Sequence, residues 1–393
     1  MLDIPAIQAA IRTQNLDGWL LYDFRGSNVL AQRVVGLEGR KFSRRWLYFI
    51  PAKGEPRKLV HAIEPAALDA LPGSKTLYRR WQEFEAGIGE LVNGSKRIAM
   101  EYSPRGGNPY ISRVDAGTIE LVRSFGVDVV SSGDLIQLFE ATWDDDQIAS
   151  HFEAAVHTDA AYDIVWKFIA EEIRTKGQTT ECTVQKRIMD HFHANGMTTY
   201  SPPIVGVNEH SGDPHFEPNP ANDTPIRKGD FVLVDLWAKM DRPRAVYSDL
   251  SRVAFVGTPV PEKYTKLFNI VASARDAAIK KVKDAFAAGQ VLLGNEVDAA
   301  ARAVVEKAGY GDFFPHRTGH NIGQEVHGNG AHMDGLETKE DRQVMPRTCF
   351  SIEPGIYLKE FGLRTEVDVF IDAEGKVHVT GGELQYDVVA IDV

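Results

Sequence analysis

The stretch FVLVDLWAKMDRPRAVYSDLSR, residues 231–252, places one acid, Asp235, at the end of an apolar run and a second, Asp249, on the run that returns. A later stretch, TCFSIEPGIYLKEFGLRTEVDV, repeats this arrangement with Glu353 and Glu366. Each stretch predicts an antiparallel strand pair that offers one carboxylate per strand. Two such pairs of similar span indicate two related halves that face each other across a shared site.

A histidine between the two stretches, His320 in HRTGHNIG, extends the set to four carboxylates and one imidazole. An acid at the end of an apolar strand is costly to bury unless a metal or another cation neutralises it. One alternative is that Arg or Lys residues merely pair with these acids. Two divalent ions would cancel the four charges. Ions about 3.5–4 Å apart can share one water, lower its pKa toward neutrality and present hydroxide as a nucleophile.

These motifs resemble those of the pita-bread metallopeptidases, the group of methionine aminopeptidase, aminopeptidase P and prolidase. The resemblance covers roughly residues 145–385, and the preceding segment resembles the amino-terminal domain that aminopeptidase P, prolidase and creatinase share. It implies an α/β amino-terminal domain at residues 1–141. It also implies an α+β pita-bread catalytic domain at residues 142–393, a curved antiparallel sheet covered by helices in two pseudo-symmetric halves.

The resemblance also implies a role for each member of the ligand set. Asp249 and Glu366 would bridge two metal ions, and Asp235 would complete the shell of one of them. His320 and Glu353 would complete the shell of the other. Glu353 would in addition take the proton of the nucleophile and return it later, which makes it a catalytic residue as well as a ligand.

Three further histidines lie in two short windows: His215 in SPPIVGVNEHSGDPHFEP, and His316 and His327 on either side of His320. By the family pattern, His327 and His215 are catalytic: they would donate hydrogen bonds to the substrate carbonyl oxygen as it becomes an oxyanion, or steer the residue on its leaving side. His316 would support the ligands or face the substrate. His210 has no counterpart in the pattern and is predicted to be a solvated loop residue.

Arg364 lies two residues before Glu366 on the same strand, so both side chains are expected on the same face. It could hold a metal-binding carboxylate in place, or it could grip the terminal carboxylate of the substrate. The sequence leaves both roles open.

Three features depart from the family pattern. Trp237 stands two places after Asp235, where a small residue is common. The stretch DRPRAV, residues 241–246, lengthens the gap between the first two acids. Gly328 follows His327, where members often carry an acid. These changes would remodel the wall of the substrate pocket and leave the ligands untouched.

Length and charge exclude several classes of protein. A chain of 393 residues exceeds the usual ceiling for one core, so two domains are expected. The net charge of -11, without a basic stripe, argues against nucleic-acid binding. The chain lacks an apolar run of about 20 residues, so no membrane span is expected. Two cysteines make no disulfide framework and the start resembles no secretory signal, so the expected location is the cytoplasm.

Periodicity predicts the principal elements. In the first domain, strands are expected at 19–24, 45–51, 97–102 and 127–130, and helices near 64–70, 82–92 and 113–125. A helix that begins with acids is expected just after residue 142. Apolar residues from Leu267 to Val282 predict another helix, and a further helix is expected to be capped by Asn295 and to end at Gly309.

The sequence therefore predicts a dinuclear-metal hydrolase, an Xaa-Pro aminopeptidase or Xaa-Pro dipeptidase that acts on short proline-containing peptides. By resemblance it is expected to form a homodimer. Manganese is the first candidate metal, and Co, Fe or Zn suit the same donors. One alternative is a creatinase-like hydrolase of another C–N bond, although creatinase works without the metals. Another is a non-catalytic binding protein on the same fold. Methionine aminopeptidase is disfavoured because it usually lacks such an α/β domain.

Overall fold

The apolar runs of the first 140 residues pair into one mixed sheet in the computed structural model, which describes residues 2–393. The strands of this sheet are β1 (Gly18–Asp23), β2 (Trp46–Pro51), β3 (Arg57–His61), β4 (Ser74–Tyr78), β5 (Arg97–Met100) and β6 (Asp128–Ser131). Their spatial order is β4-β3-β2-β1-β5-β6. The helices are α1 (Ile4–Thr13), α2 (Val29–Val34), α3 (Trp81–Val92), α4 (Ala116–Ser124) and α5 (Gly133–Glu140).

Alternate residues of the central strands enter two apolar clusters, as the two-residue period of a strand requires. Trp19 and Leu21 of β1 belong to a cluster that includes residues of α1, α2 and α5. Leu20 and Tyr22 belong to another that includes residues of α3 and α4. Helices therefore cover both faces of this sheet, which makes the amino-terminal unit an α/β layered structure.

The predicted strands and two of the three predicted helices of this unit are present, but the helix expected at 64–70 is wrong. That segment forms a series of turns between β3 and β4. The buried ammonium of Lys58 donates hydrogen bonds to the carbonyl oxygens of Leu68 and Leu71, at 3.3 and 2.6 Å. Carbonyls satisfied by a distant side chain do not need the hydrogen bonds of a helix. The strands β3 and β4 were missed by the sequence pattern.

The described chain divides into two compact units between Glu140 and Ala141. The second unit contains the helices α6 (Asp145–Lys176), α7 (Glu181–Ala194), α8 (Glu262–Ala287) and α9 (Gly294–Lys307). Its first strands are β7 (Thr179–Thr180), β8 (Met197–Thr198), β9 (Ile204–Val207), β10 (Pro225–Ile226), β11 (Phe231–Met240) and β12 (Ser248–Val256). Its later strands are β13 (Asn321–Ile322), β14 (Cys349–Ile352), β15 (Gly355–Tyr357), β16 (Gly362–Arg364), β17 (Val367–Ile371), β18 (Val377–Thr380) and β19 (Val389–Ile391).

Two antiparallel strand pairs form the centre of this unit, as the repeated acid pattern predicts. The pair β11–β12 lies in a sheet of order β19-β12-β11-β8, with β9 also on β11. The pair β14–β17 lies in a sheet of order β13-β14-β17-β18. A backbone bridge between Ser251 and Glu366 connects the two sheets. Apolar residues of α6 and α7 pack behind the first pair, and those of α8 and α9 pack with the second.

Side-chain hydrogen bonds to backbone N–H groups mark the beginnings of α6 and α9. Asp144 caps α6 by accepting a hydrogen bond from the backbone N–H of Gln147 at 3.0 Å, as the acidic start of this helix indicates. The cap predicted for α9 is wrong: the helix begins at Gly294, and Asn295 lies inside its first turn. The carboxylate of Glu296 instead accepts from the N–H of Leu293 at 2.9 Å.

Among residues 2–393, none of the helices combines the length and the apolar character that a bilayer crossing requires.

Candidate metal centre

The register of β11 and β12 brings the first two acids to one face. Asp235 lies opposite Ser251, and Trp237 lies opposite Asp249. Because side chains alternate across a strand, these four share a face, while the apolar residues between them point to the helices behind. The opposite face of each strand packs into the apolar core, which fixes the positions of Asp235 and Asp249.

The second strand pair presents its acids just beyond its regular pairing. The last paired residues of β14 and β17 are Ile352 and Val367. Glu353 and Glu366 are the next residues outward, so they leave the strand ends side by side. The backbone N–H of Glu366 donates to the carbonyl of Ser251 at 3.1 Å, which fixes the second half against the first.

His320 lies among these acids. Its Nε2 is 3.5 Å from Asp249 Oδ2 and 3.5 Å from Glu353 Oε1. Asp249, His320 and Glu366 each offer a ligand atom, and these atoms lie within 4.8 Å of one another. The Nδ1 of His320 is 3.3 Å from the carbonyl of Asn321, which can only accept, so Nε2 keeps its lone pair for a ligand role.

Burial and mutual repulsion make this cluster of acids unfavourable without a cation. Burial raises the pKa of Asp249 and of Glu366 well above the usual range, and nearby carboxylates raise both further. Burial also raises the pKa of Glu353 to about 7. It lowers the pKa of His320 well below its usual value, so this ring is neutral. Within residues 2–393, the buried Oδ1 of Asp249 has no hydrogen-bond partner. Hard oxygen donors with a neutral imidazole fit divalent metal ions.

Two serines that the sequence analysis missed orient the acids. Ser251 Oγ is 2.9 Å from Asp235 Oδ1 and 2.8 Å from Glu366 Oε2, so one hydroxyl contacts a carboxylate from each half. Ser351 Oγ accepts from the backbone N–H of His320 at 3.0 Å and donates to Glu353 Oε1 at 3.2 Å. Each serine lies two residues from an acid in the sequence, a spacing that could have identified it.

The contacts of Arg364 favour the first of its two predicted roles. Its guanidinium forms a buried ion pair with Asp235, and its Nε donates to Ser251 Oγ at 2.9 Å. Its Nη1 donates to the hydroxyl of Tyr357 at 3.1 Å, and its Nε is 3.9 Å from Glu353 Oε2. With an exposed fraction of only 4%, the side chain holds the carboxylates in place.

His316 continues this chain of hydrogen bonds. Its Nδ1 donates to the carbonyl of Arg317 at 2.7 Å, so its Nε2 accepts from the hydroxyl of Tyr357 at 2.8 Å. Burial lowers the pKa of His316 to about 3, and the charge of Arg364 lowers it further. Both ring nitrogens are therefore occupied, which favours the supporting role over contact with the substrate.

His327 and His215 lie on the open side of the site. His327 keeps part of its surface exposed to solvent, while its ring packs edge to face on His320, with centroids 4.3 Å apart. Burial of its imidazole against the site lowers its pKa to about 4, and the charges of Arg317 and His215 also contribute to this decrease. His215 is exposed, and its charge also lowers the pKa of His316. The structure thus brings the three predicted histidines around the same site.

The expectation for His210 is wrong. Its Nδ1 is 2.9 Å from Glu181 Oε1, and its ring stacks on Phe216 with centroids 4.1 Å apart. Glu181 is fully buried at the start of α7 and also accepts from the N–H groups of Val207 and Thr224, at 2.8 and 3.0 Å. These contacts of His210 therefore fix the loop that carries His215. No local sequence signal shows a contact between residues so far apart.

Asp368 is a further buried acid that the sequence analysis did not single out. Its Oδ2 accepts from the backbone N–H of Asp249 at 3.0 Å, and burial raises its pKa to about 8. It lies two residues after Glu366 on β17, so alternation along TEVDV could have identified it.

Several known proteins are similar to this chain in sequence. The model of metallopeptidase family M24 matches residues 149–373. A putative dipeptidase, YkvY, from Bacillus subtilis is 32% identical over 309 residues, which cover 76% of this chain and 79% of the relative. A probable dipeptidase, PepE, from Mycobacterium tuberculosis is 27% identical over 352 residues, 88% of this chain and 86% of the relative.

Solved structures show the same fold over nearly the whole chain. Dipeptidase PepE from Mycobacterium ulcerans has a TM-score of 0.69 at 23% identity and covers 99% of this chain and 97% of its own. An Xaa-Pro dipeptidase from Bacillus anthracis has a TM-score of 0.60 at 22% identity and covers 98% of each chain. The predicted fold class, an α/β domain followed by a pita-bread domain, is confirmed. The ligand-type residues, the fold and the matched model lead to one conclusion: the chain belongs to metallopeptidase family M24.

Proposed function

We propose that this protein is a dinuclear-metal Xaa-Pro peptidase, a dipeptidase or aminopeptidase that removes the amino-terminal residue from a following proline. The observation that carries the proposal is the convergence of four carboxylates and one neutral histidine in a buried site, where the Arg364 guanidinium pairs with Asp235. The names of the relatives, which include dipeptidases and an Xaa-Pro dipeptidase, support short peptides as substrates.

Five side chains would hold the metal ions: Asp235, Asp249, His320, Glu353 and Glu366. When bound, such ions acidify a water and polarise the substrate carbonyl. Manganese is the first candidate, and Co, Fe or Zn suit the same oxygen-rich donors. The orphaned oxygen of Asp249 and the raised pKa values of its neighbours support this assignment.

Glu353 is the residue best placed to move a proton. Burial raises its pKa to about 7 in the metal-free protein, and bound cations would lower that pKa, so the carboxylate would be ionised and able to take a proton from the nucleophile and return it to the departing amine. The Ser351 hydroxyl holds one carboxylate oxygen, and the Arg364 guanidinium lies beside the other. His327 and His215, on the open side, would donate hydrogen bonds to the oxygen of the scissile carbonyl.

A substrate series tests this function. Metal-loaded protein is expected to cleave Ala-Pro far faster than Ala-Ala, because the set of His215, His316 and His327 resembles that of proline-handling relatives. Initial rates measured by release of free amino acid decide the question, and Ala-Pro against Ala-Pro-Ala separates a dipeptidase from an aminopeptidase. Ready hydrolysis of Met-Ala with none of Ala-Pro would contradict the proposal.

The affinity for metal should increase with pH. Carboxylates bind metal only after they lose their protons, and burial holds the pKa of Glu353 at about 7, with those of Asp249 and Glu366 also raised. Between the ordinary value of 4.5 and about 7, the folded metal-free protein therefore binds more protons than the unfolded chain. Its stability should fall as the pH rises through this window.

Melting temperatures with and without Mn measure this dependence. The increase in melting temperature caused by Mn is expected to be larger at about pH 8 than at about pH 5, because at the higher pH protons no longer compete with the metal for the carboxylates. An increase of equal size at both values would show that these carboxylates do not release protons when metal binds.

We further propose that the protein is a homodimer. The supporting observation is the resemblance of the amino-terminal unit to a domain that commonly forms the dimer in the family. Light scattering at micromolar concentration should give twice the mass of 43.6 kDa, and a monomer would contradict the proposal.

A further inference from the structure

We propose that Asn321 is a positioning residue that fixes His327 beside the metal centre. Its backbone and its amide hold the segment that follows His327, residues 328–330, whose sequence is Gly-Asn-Gly. This inference rests on the proposed function, in which His327 donates to the oxygen of the scissile carbonyl. It deepens that function by naming the residue that keeps this donor in place.

The chain is anchored differently on the two sides of His327. Val326, which precedes it, is buried and packs in the apolar core. Gly328, which follows it, has no side chain that could pack. Glycines at 328 and 330 also give this segment more backbone freedom than other residues would. Hydrogen bonds to the backbone are therefore needed to fix the chain after the histidine.

One asparagine provides these hydrogen bonds. The backbone carbonyl of Asn321 accepts from the N–H of Gly328 at 2.8 Å, and its side-chain Oδ1 accepts from the N–H of Gly330 at 2.9 Å. Its Nδ2 donates to the carbonyl of Cys349 on β14 at 2.9 Å. The side chain is buried, so water does not compete for these bonds. The amide thus connects a flexible segment to a strand of the core.

Asn321 also adjoins the proposed ligands. It follows His320 directly, and consecutive side chains of an extended chain point to opposite sides. The imidazole of His320 lies 3.5 Å from Asp249 Oδ2, while the amide of Asn321 meets residues 328–330. Because the rings of His320 and His327 are only 4.3 Å apart, one short stretch sets the place of both the ligand and the catalyst.

The two glycines give an independent indication of this role. A Cβ added at Gly328 would lie 2.3 Å from Oδ1 of Asn321, and a Cβ added at Gly330 would lie 2.5 Å from its Nδ2. Neither glycine has a positive φ, so the backbone conformation does not require glycine at these positions. The close approach of the amide does. Gly328, one of the departures from the family pattern, therefore accommodates this asparagine.

Asn321→Ala tests the role through a division between kcat and KM. The variant should lower kcat for Ala-Pro about tenfold and leave KM nearly unchanged, because an oxyanion donor acts in the transition state and a shift of about 1 Å can cost up to about 100-fold. Metal content should equal that of the wild-type protein. Asn195→Ala is the control: it removes an amide that donates to the carbonyl of His191 in α7, and kcat should stay the same. An unchanged kcat in Asn321→Ala, or a loss of its metal, would overturn the inference.

A double variant shows whether the asparagine and the glycine act through one contact. Gly328→Ala should displace the amide and also lower kcat about tenfold. In Asn321→Ala/Gly328→Ala the obstructing oxygen is absent, so kcat should fall about tenfold in total rather than about 100-fold. Independent effects that multiply to about 100-fold would contradict the shared contact.

Hydrogen exchange in the metal-free protein separates this inference from the proposed function. A peptide of residues 321–332 should exchange its amide hydrogens faster in Asn321→Ala than in the wild-type protein, because the N–H of Gly330 loses its acceptor. A peptide from α8 should exchange equally in both. If the wild-type protein cleaves no proline dipeptide, the proposed function fails and exchange alone decides whether Asn321 holds this segment. Equal exchange of residues 321–332 in the two proteins would overturn the inference in either case.

Discussion

Asp249→Ala is expected to lose hydrolysis and bound metal together. The side chain lies 3.5 Å from His320 Nε2, its Oδ1 has no partner within residues 2–393, and its backbone N–H is fixed by Asp368. Removing even an outer partner of a metal ligand costs about 10–100-fold in affinity or activity, so loss of a direct ligand, the role proposed for Asp249, should cost more. Elemental analysis and rates on Ala-Pro measure the two losses.

A matched control separates this effect from a general loss of acidic charge. Asp241 is exposed on the loop that joins the same two strands. Asp241→Ala is therefore expected to retain both the metal and the activity. Two metal equivalents in Asp249→Ala would refute its assignment as a ligand.

The two neighbouring histidines should respond differently to truncation. His327 is exposed and contacts the ring of His320, whereas His320 is buried among the acids. His327→Ala should lower kcat by about 10²–10³-fold, the usual cost of one oxyanion donor, with metal content and melting temperature nearly intact. His320→Ala should lose metal, because no other side chain replaces its imidazole.

The exposed His193, at the end of α7, provides the control for His→Ala changes, which should have no effect there. Metal content, kcat and melting temperature are compared for the three variants. If His320→Ala and His327→Ala lose metal equally, the division of this motif into ligand and catalyst is wrong.

The ligand-type residues could be found from the sequence because a strand has a simple period. Asp235 and Asp249 interrupt apolar runs at positions that share a face, and the same pattern recurs at Glu353 and Glu366. Charge in an otherwise buried strand is costly, so the pattern itself indicates a cation. The antiparallel pairs that carry the acids on or next to their strands follow from the same alternation.

Other features of the site depend on contacts that no local pattern records. The hydrogen bond of His210 to Glu181 joins residues 29 positions apart, and the ion pair of Arg364 with Asp235 joins residues 129 apart. The turns at 64–70 arise in the same way, from the distant ammonium of Lys58. Such contacts appear only when the chain is folded, which is why helix periodicity was misleading there.

The metal content of the wild-type protein tests the central claim most directly. After saturation with Mn and removal of free metal, elemental analysis should give two equivalents per chain, held by the five side chains of the two halves. A protein that is folded and dimeric but retains one equivalent, or none, would contradict the dinuclear centre on which the proposed function depends.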